Sequence, residues 1–537
     1  MRILHFFKTY WPDTFGGVER SINAIAETTA SGGAVHQILA LSNNPHADAL
    51  HFNGQTVHQA KRHLAISSTD ISFNCLGALK NLAAESDLIH LHFPWPFMDM
   101  MHFMANTGKP TIVTYHADAL ANPLLEACYA PLRNRFLSSV DAIVPTSENY
   151  LASSTVLPRF IDKIRVIPLG LDPASYPQAS QARMQLWQQR LGNSFFLFVG
   201  VLRHYKGLNI LLEAARQTKA IFVIAGAGPS EAELIATMQR LGLDNVHVVG
   251  SIDEEDKIAL LSLCSGFVFP SNKRSEAYGL SLMEAAMMGK PMISCEIGTG
   301  TSFVNLDKVT GLVVPPNDPR ALAHAVNRLD GDASLRHQFG SAARMRFDAE
   351  LQATTMGERY LDLYRKALAL LLLWPLIALL ALLIRLETAG NPLYCQIRLG
   401  RDQRPFTMWK LRSMRRGTPL LGTHEVSADQ FTRIGRLIRR TKLDELPQAF
   451  NVLRGDMSLV GPRPCLPGQH QVIEERRKHD VFRIRPGITG LAQIRGIDMS
   501  RPAELALCDH AYMKKQSLLF DLRICAATII NVGSTSF

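Results

Sequence analysis

The run from Ala367 to Ile384, ALALLLLWPLIALLALLI, divides the 537-residue chain into two chemically different parts. Arg365 and Lys366 precede it and Arg385 follows. Its eighteen uncharged residues, at about 1.5 Å each, give roughly 27 Å, just short of a hydrocarbon core of about 30 Å. Pro375 falls near the middle. It removes a helical donor and clashes with the preceding turn, so a kinked or doubled-back helix competes with a straight span. The flanking sequence has to decide between them.

Charge separates the two flanks. From Arg365 onward there are 27 Lys and Arg against 14 Asp and Glu, whereas the earlier residues carry 30 against 33. The basic excess thus belongs to the part joined to the apolar run, where anionic headgroups and phosphate substrates are the expected partners. No nucleic-acid-binding motif accompanies it, which argues against a nucleic-acid partner. The opening MRILHFFKTYWPDTFGG lacks the apolar core and cleavage site of a secretory leader, so the N-terminal part is expected in the cytoplasm. Eight scattered cysteines without a CxxC pair suggest neither zinc nor a disulfide framework.

Before the apolar run, short β-rich segments alternate with helical periodicity. RILHFF, HQILAL, DLIHLHF, PTIVTYHA and DAIVPTS form one series; after PLGLDPASYP come SFFLFVG, AIFVIAG, NVHVVG, GFVFPS, PMISCE and TGLVVPP. Two such series predict two Rossmann-like lobes with parallel sheets, in which ligands bind just beyond the strand ends. Gly16 and Gly17 make either a phosphate-approach turn or simply a tight strand-to-helix turn. In FVGVLRHYKGLNILLEA, Arg203 and Lys206 follow a strand and suit a diphosphate, or are two solvated loop charges. In RSEAYGLSLMEAAMMGKP, Glu276 stands at a helix entrance and Glu284 about two turns inside, where an acidic side chain needs a polar partner such as a sugar hydroxyl. Met283, Met287 and Met288 read as packing.

Taken in order, the GGVER turn, the lysine of YKG, the E-x7-E pair and TGLVVPPNDP resemble the retaining glycosyltransferases of family 4, which have the two-lobed GT-B fold. The resemblance implies a nucleotide sugar between the lobes, with Lys206 and Arg203 on its diphosphate, Gly17 near the donor phosphates, Glu284 on the ribose and Glu276 on the sugar. His116, after TIVTY, matches the family histidine beside the transferred hexose. Val201 stands where an arginine often follows the glycine, so the lysine carries over more firmly than Arg203. No protein-bound metal is expected in this part, cations and helix dipoles stabilising the leaving diphosphate.

Beyond the apolar run, FTRIGRLIRRTKLDELPQAFNVLRGDMSLVGPRP gathers Arg433, Arg436, Arg439, Arg440 and Lys442 just before Asp444 and Glu445. Adjacent carboxylates beside many cations suit a metal and phosphates together, although Asp-Glu also opens ordinary helices. Arg463, between two prolines, is a rigidly presented phosphate fork. LDELPQ, N-LRGDMSLVGPRP and RPGITGLAQIRG resemble the bacterial sugar transferases, monotopic polyprenyl-phosphate phosphoglycosyl transferases. The resemblance implies that Asp444 is the covalent nucleophile, that Glu445 holds Mg²⁺, and that Arg463, then Lys410, Arg412 and Arg485, bind phosphate. Trp374-Pro375 replaces that family's Ser-Pro helix breaker.

The expected architecture is α/β: lobes at 1–170 and 171–366, a re-entrant membrane helix at 367–385, and a small α-rich α+β catalytic domain at 386–537. The expected function is bifunctional. The last domain makes a polyprenyl-diphosphate-sugar from a nucleotide sugar and polyprenyl phosphate, and the GT-B part adds a second sugar. The alternative has the GT-B half acting on a later acceptor or only binding nucleotide sugar. Both sites need cytoplasmic donors, so a single span would strand one of them. Positive charge on both flanks agrees with a helix that enters one leaflet of the bacterial inner membrane from the cytoplasmic face, bends at Pro375 and returns. Membrane lipids are thus partners; homodimerisation is left open.

Overall fold

The computed structural model describes all residues except 67–68, 119–122, 193, 389, 416–429 and 532–537. The chain forms two compact units, Met1–Asp362 and Leu363–Phe537.

The first unit contains strands β1 (Arg2–Phe6), β2 (Val35–Ser42), β3 (Leu50–Phe52), β4 (Gln55–Lys61), the small hairpin β5 (Leu64–Ile66) and β6 (Thr69–Ile71), then β7 (Leu88–Phe93), β8 (Thr111–Tyr115) and β9 (Ala142–Pro145). Seven of these make one sheet in the order β3-β4-β2-β1-β7-β8-β9, parallel apart from the β3–β4 pair. Every residue of β7 and β8 is buried, as expected of strands covered on both faces. The second lobe has β10 (Phe196–Val199), β11 (Phe222–Ala225), β12 (Val246–Gly250), β13 (Gly266–Phe269), β14 (Met292–Cys295) and β15 (Gly311–Val314), all parallel in the order β12-β11-β10-β13-β14-β15. The two predicted Rossmann-like lobes are therefore present.

One helix, Ala353–Glu387, follows. Its start returns to the first lobe instead of extending the second: the Ala353 amide donates to Leu171 O at 2.9 Å, and the fully buried Tyr360 places its hydroxyl 2.8 Å from that of Thr114 on β8. Gly357 lies against Thr28, where a Cβ would clash. The helix continues through Pro375 instead of breaking there. Packing on both sides of the ring explains this. Leu373, Ile377, Leu380 and Ile384, spaced by three and four residues, share one apolar cluster with Leu411 and Ile438 of the second unit. The opposite side exposes Trp374, Leu376, Leu379, Leu382 and Leu383.

The second unit is α-rich. An antiparallel hairpin of β16 (Leu393–Leu399) and β17 (Pro405–Leu411) is followed by helices Arg433–Arg440 and Gln448–Arg454, and a short parallel pair, β18 (Ser458–Val460) with β19 (Gly487–Thr489), lies among helices His470–Lys478, Pro502–Lys515 and Leu518–Asn531. Val460, Cys465, Val472, Leu505, Tyr512 and Ile524 form its core. Glycines let the two conspicuous motifs meet: a Cβ at Gly487 would collide with the Gly461 amide, and one at Gly490 with the Gly461 carbonyl. VGPRP and RPGITG are thus adjacent backbones.

Candidate active sites

In the first unit, Gly17 opens the helix Gly17–Ala30 beyond β1, and a Cβ there would lie 3.4 Å from Leu280 Cδ1 of the second lobe. A side chain there would make only ordinary contact with Leu280, so this approach does not itself require glycine. Lys206 ends the turn His204–Lys206 after β10 and is buried over the Phe269 ring, 4.8 Å from its centroid. Its ammonium pairs with the buried Glu276 carboxylate, which also accepts from Ser271 Oγ at 3.2 Å. Glu284, in the helix Leu280–Met287, accepts from Lys257 Nζ at 2.7 Å and Tyr176 OH at 3.1 Å. Its expected polar partner is therefore supplied by the protein. Lys257 also pairs with Glu254, which pairs at 3.1 Å with Arg20 on the helix that Gly17 opens.

His116 follows β8, its amide donating to Phe93 O at 3.0 Å, and its Nε2 lies 3.1 Å from His92 Nδ1. Burial pushes the imidazole pKa down to about 3, so the ring is neutral. Two residues on, Asp118 accepts from Arg274 at 3.2 Å, and Arg274 also donates to Ser153 Oγ and Gly298 O. Arg274 thus ties the loop before Glu276 to the strand end that carries His116. Arg203 is not brought into this group. It is exposed, forms no ion pair among the described residues, and lines a shallow groove with His204, Asn209 and Glu233.

In the second unit, Asp444 and Glu445 occupy the single turn Leu443–Glu445. Lys410, on β17, donates to Glu445 Oε1 at 2.8 Å, and Arg463 approaches the same oxygen at 3.7 Å. Burial would raise the Glu445 carboxyl, but Lys410 and Arg463 outweigh it and hold the group below its usual range. Asp444 behaves oppositely. It is buried and without an ion pair among the described residues; burial, then the Glu445 charge, raise its carboxyl despite Lys410 and Arg439. Of the predicted basic cluster, Arg439 bears on Asp444 and Lys442 on Glu445, while Arg433, Arg436 and Arg440 are exposed.

The supporting residues are less obvious in the sequence. Asn451 accepts from Trp409 N at 3.1 Å and donates to Thr407 O at 2.7 Å, fixing β17 beside the carboxylates. Arg476 forms a buried pair with Asp509 at 2.7 Å and donates to Arg463 O at 2.7 Å, while Arg398 donates to Pro464 O at 3.0 Å. The buried Arg476 and the half-buried Arg398 guanidinium groups therefore grip the backbone that presents Arg463. Glu387 receives the Arg433 and Ile434 amides at 2.5 and 2.9 Å, so the last residue of the long helix caps the next one. Arg412 instead braces the hairpin base through Asn391 O at 2.7 Å, and Arg485 is exposed without an ion pair among the described residues. Neither touches Asp444 or Glu445.

The fold and the paired sites define a sugar-transferring enzyme of two catalytic parts. The chain belongs to the family 4 glycosyltransferases in its first part and to the bacterial sugar transferases in its last. Family models for Glycosyltransferase Family 4, Glycosyl transferases group 1 and Bacterial sugar transferase match residues 15–175, 183–346 and 353–535. The chain is 48% identical over 347 residues to D-rhamnosyltransferase WbpZ of Pseudomonas aeruginosa, covering 65% of this chain and 91% of that protein. Over 192 residues it is 38% identical to the UDP-glucose:undecaprenyl-phosphate glucose-1-phosphate transferase of Caulobacter vibrioides, covering 34% of this chain and 72% of that one. A solved sucrose-phosphate synthase from Thermosynechococcus elongatus matches with a TM-score of 0.57 at 21% identity, covering 68% and 99% of the two chains, which establishes the GT-B fold. The protein is thus a transferase with a GT-B glycosyltransferase part and a polyprenyl-phosphate sugar-phosphate transferase part.

Proposed function

We propose that the two parts act in sequence on one lipid-linked intermediate. In the second unit, the Asp444 carboxylate attacks the sugar-linked β-phosphorus of a UDP-sugar. The bond from that phosphorus to the bridging oxygen breaks, and UMP leaves with the oxygen. Polyprenyl phosphate then attacks the aspartyl phospho-sugar, releasing Asp444 and forming polyprenyl-diphosphate-sugar. The observation that carries this reading is the division of labour between neighbouring carboxylates: Lys410 and Arg463 converge on Glu445 and leave the buried Asp444 without an ion pair among the described residues. A desolvated carboxylate of raised basicity suits a nucleophile.

Mg²⁺ fits the donor set. Glu445 is held ionised, the Lys410 and Arg463 contacts fall on Oε1, and one carboxylate with substrate phosphates and water is a usual Mg²⁺ environment. When bound there it neutralises phosphoryl charge. Arg463 contributes a fork to the same phosphates.

The GT-B part then adds a second sugar with retention, D-rhamnose or a related hexose by likeness to the rhamnosyltransferase. Lys206 turns from Glu276 to the donor diphosphate, Glu276 and His116 meet sugar hydroxyls, and Glu284 takes the ribose. The apolar run lies in one leaflet from the cytoplasmic side, its packed side on the catalytic domain and its exposed Trp374, Leu376, Leu379, Leu382 and Leu383 in lipid. Both sites thereby share one membrane surface, and fusion raises the local concentration of the intermediate.

The test supplies purified protein with polyprenyl phosphate, Mg²⁺ and candidate nucleotide sugars and resolves the lipid products. Asp444→Asn should make neither product, and Glu276→Ala should stop at the lipid-linked monosaccharide. A wild type that extends the monosaccharide with no donor contradicts sequential action.

A further inference from the structure

Four histidines cross the first sheet in strand order. His36 on β2, His5 on β1, His92 on β7 and His116 after β8 lie on adjacent strands and are all buried. Their ring nitrogens meet end to end: His36 Nδ1 to His5 Nε2 at 3.0 Å, His5 Nδ1 to His92 Nε2 at 3.0 Å, and His92 Nδ1 to His116 Nε2 at 3.1 Å. At the far end His36 Nε2 lies 2.8 Å from Thr29 Oγ1. Burial lowers the pKa of each imidazole, so all four are neutral and each carries one N–H.

A chain of neutral imidazoles has only two polarities, and one end sets it for the whole. Thr29 has one hydroxyl proton and donates it to Ile25 O, one turn back in its own helix, at 2.6 Å. Its oxygen therefore accepts from His36 Nε2–H. His36 Nδ1 must then accept from His5 Nε2–H, His5 Nδ1 from His92 Nε2–H, and His92 Nδ1 from His116 Nε2–H. His116 is left with a bare Nδ1 lone pair, and among the described residues that nitrogen has no partner. The chain ends in a buried hydroxyl committed to a helix carbonyl, so it leads no proton to solvent; it fixes a tautomer.

We propose that Thr29, His36, His5 and His92 are positioning residues that lock His116 as the Nε2–H tautomer and present Nδ1 as an acceptor for a hydroxyl of the bound sugar. The sugar contact rests on the reading of the GT-B site given above; the tautomer lock does not. His90 stands outside the chain, its Nε2 2.7 Å from Thr114 Oγ1. The ligand nitrogens of His5, His90 and His92 come within 4.8 Å of one another, as a metal site would require. A metal there would take nitrogens already engaged, because both ring nitrogens of His5 and of His92 are in the chain.

The test uses the full chain in lipid, labelled with ¹⁵N in the histidine rings, and reads the His116 tautomer by solid-state NMR, assigned by its loss in His116→Gln. Wild type and Thr29→Ser should show Nε2–H. Thr29→Val keeps the side-chain shape but removes the acceptor, so an N–H at His36 Nε2 would be left unsatisfied; the proton moves to Nδ1, the lone pair faces the valine, and the chain's polarity reverses. His116 should then show Nδ1–H, and sugar addition to the lipid monosaccharide should fall about tenfold, the scale of one hydrogen bond. Nδ1–H in the wild type, an unchanged tautomer in Thr29→Val, unchanged sugar addition in that variant, or a metal bound to the His5 and His92 ring nitrogens in the same spectra would each overturn the proposal. Absence of sugar addition by the wild type with every donor would instead defeat the proposed function and leave the NMR result to judge the lock.

Discussion

The ammonium of Lys206 and the carboxylate of Glu276, 70 residues apart, form a buried ion pair where β10 and the helix Leu280–Met287 bring the YKG and E-x7-E motifs together. Removing one partner strands the other charge in a desolvated site. Lys206→Met should therefore cost about 3–5 kcal/mol in the first unit. The double variant Lys206→Met with Glu276→Gln should recover most of that stability without recovering sugar addition. Thermal unfolding with the lipid-product assay separates the two effects.

Acid should weaken the same unit. His5, His36, His90, His92 and His116 all have pKa values lowered by burial, to about 4 for His36 and about 3 for His116. An unfolded histidine titrates near 6.5, so below that pH the unfolded chain binds protons first. Their contribution is fully present above pH 6.5 and is lost as pH falls toward the folded values, each site adding up to about 1.4 kcal/mol per pH unit. Denaturant titrations at pH 7.5 and 5.5 should show the loss, and His92→Gln should reduce its slope.

Asp444 is predicted to trade stability for reactivity. Its folded pKa is raised by burial and by Glu445, so the protonated carboxyl suits the fold better than the anion. That advantage is complete below the ordinary carboxylate range and lost as pH rises through the folded value. Asp444→Asn should abolish UMP release and raise the unfolding temperature of the second unit at pH 7, with the gain shrinking toward pH 4.

The close backbone approach in the second unit predicts a separable defect. Gly487→Ala puts a methyl into the Gly461 amide and should cost about 1–3 kcal/mol. It displaces the loop presenting Arg463, so phosphoglycosyl transfer should fall while sugar addition to supplied lipid monosaccharide persists. Comparing the two partial reactions in one preparation checks this.

Both lobes were legible because strand and helix periodicities alternate twice, and Lys206, Glu276, Asp444, Glu445 and Arg463 could be singled out as candidates because their motifs are local. Partners fixed by tertiary contact were not. Lys257 and Tyr176 reach Glu284 from 27 and 108 positions away, and nothing local announces them. Arg476 and Asp509 look like ordinary helix charges until burial pairs them. Arg412 and Arg485 show the converse: neither is brought to Asp444 and Glu445, one bracing a turn through Asn391 O and the other meeting solvent. The histidine chain did leave a trace, since His5, His36, His90 and His92 interrupt apolar strand runs. Only the strand order shows that His36, His5, His92 and His116 join. Pro375 marks a bend in the sequence reading; the structure shows that the helix is continuous across it, with Leu373 and Ile377 on either side in one apolar cluster.

The most direct test of sequential action follows one phosphorus atom. Full-length protein is loaded with UDP-sugar labelled in the β-phosphate, chased with polyprenyl phosphate, then given the second nucleotide sugar. The account predicts label first on the protein with release of UMP, then on a lipid monosaccharide, then on a lipid disaccharide, with no labelled protein in Asp444→Asn. UMP release only after the lipid is added, with label never on the protein and never on a disaccharide, would contradict it.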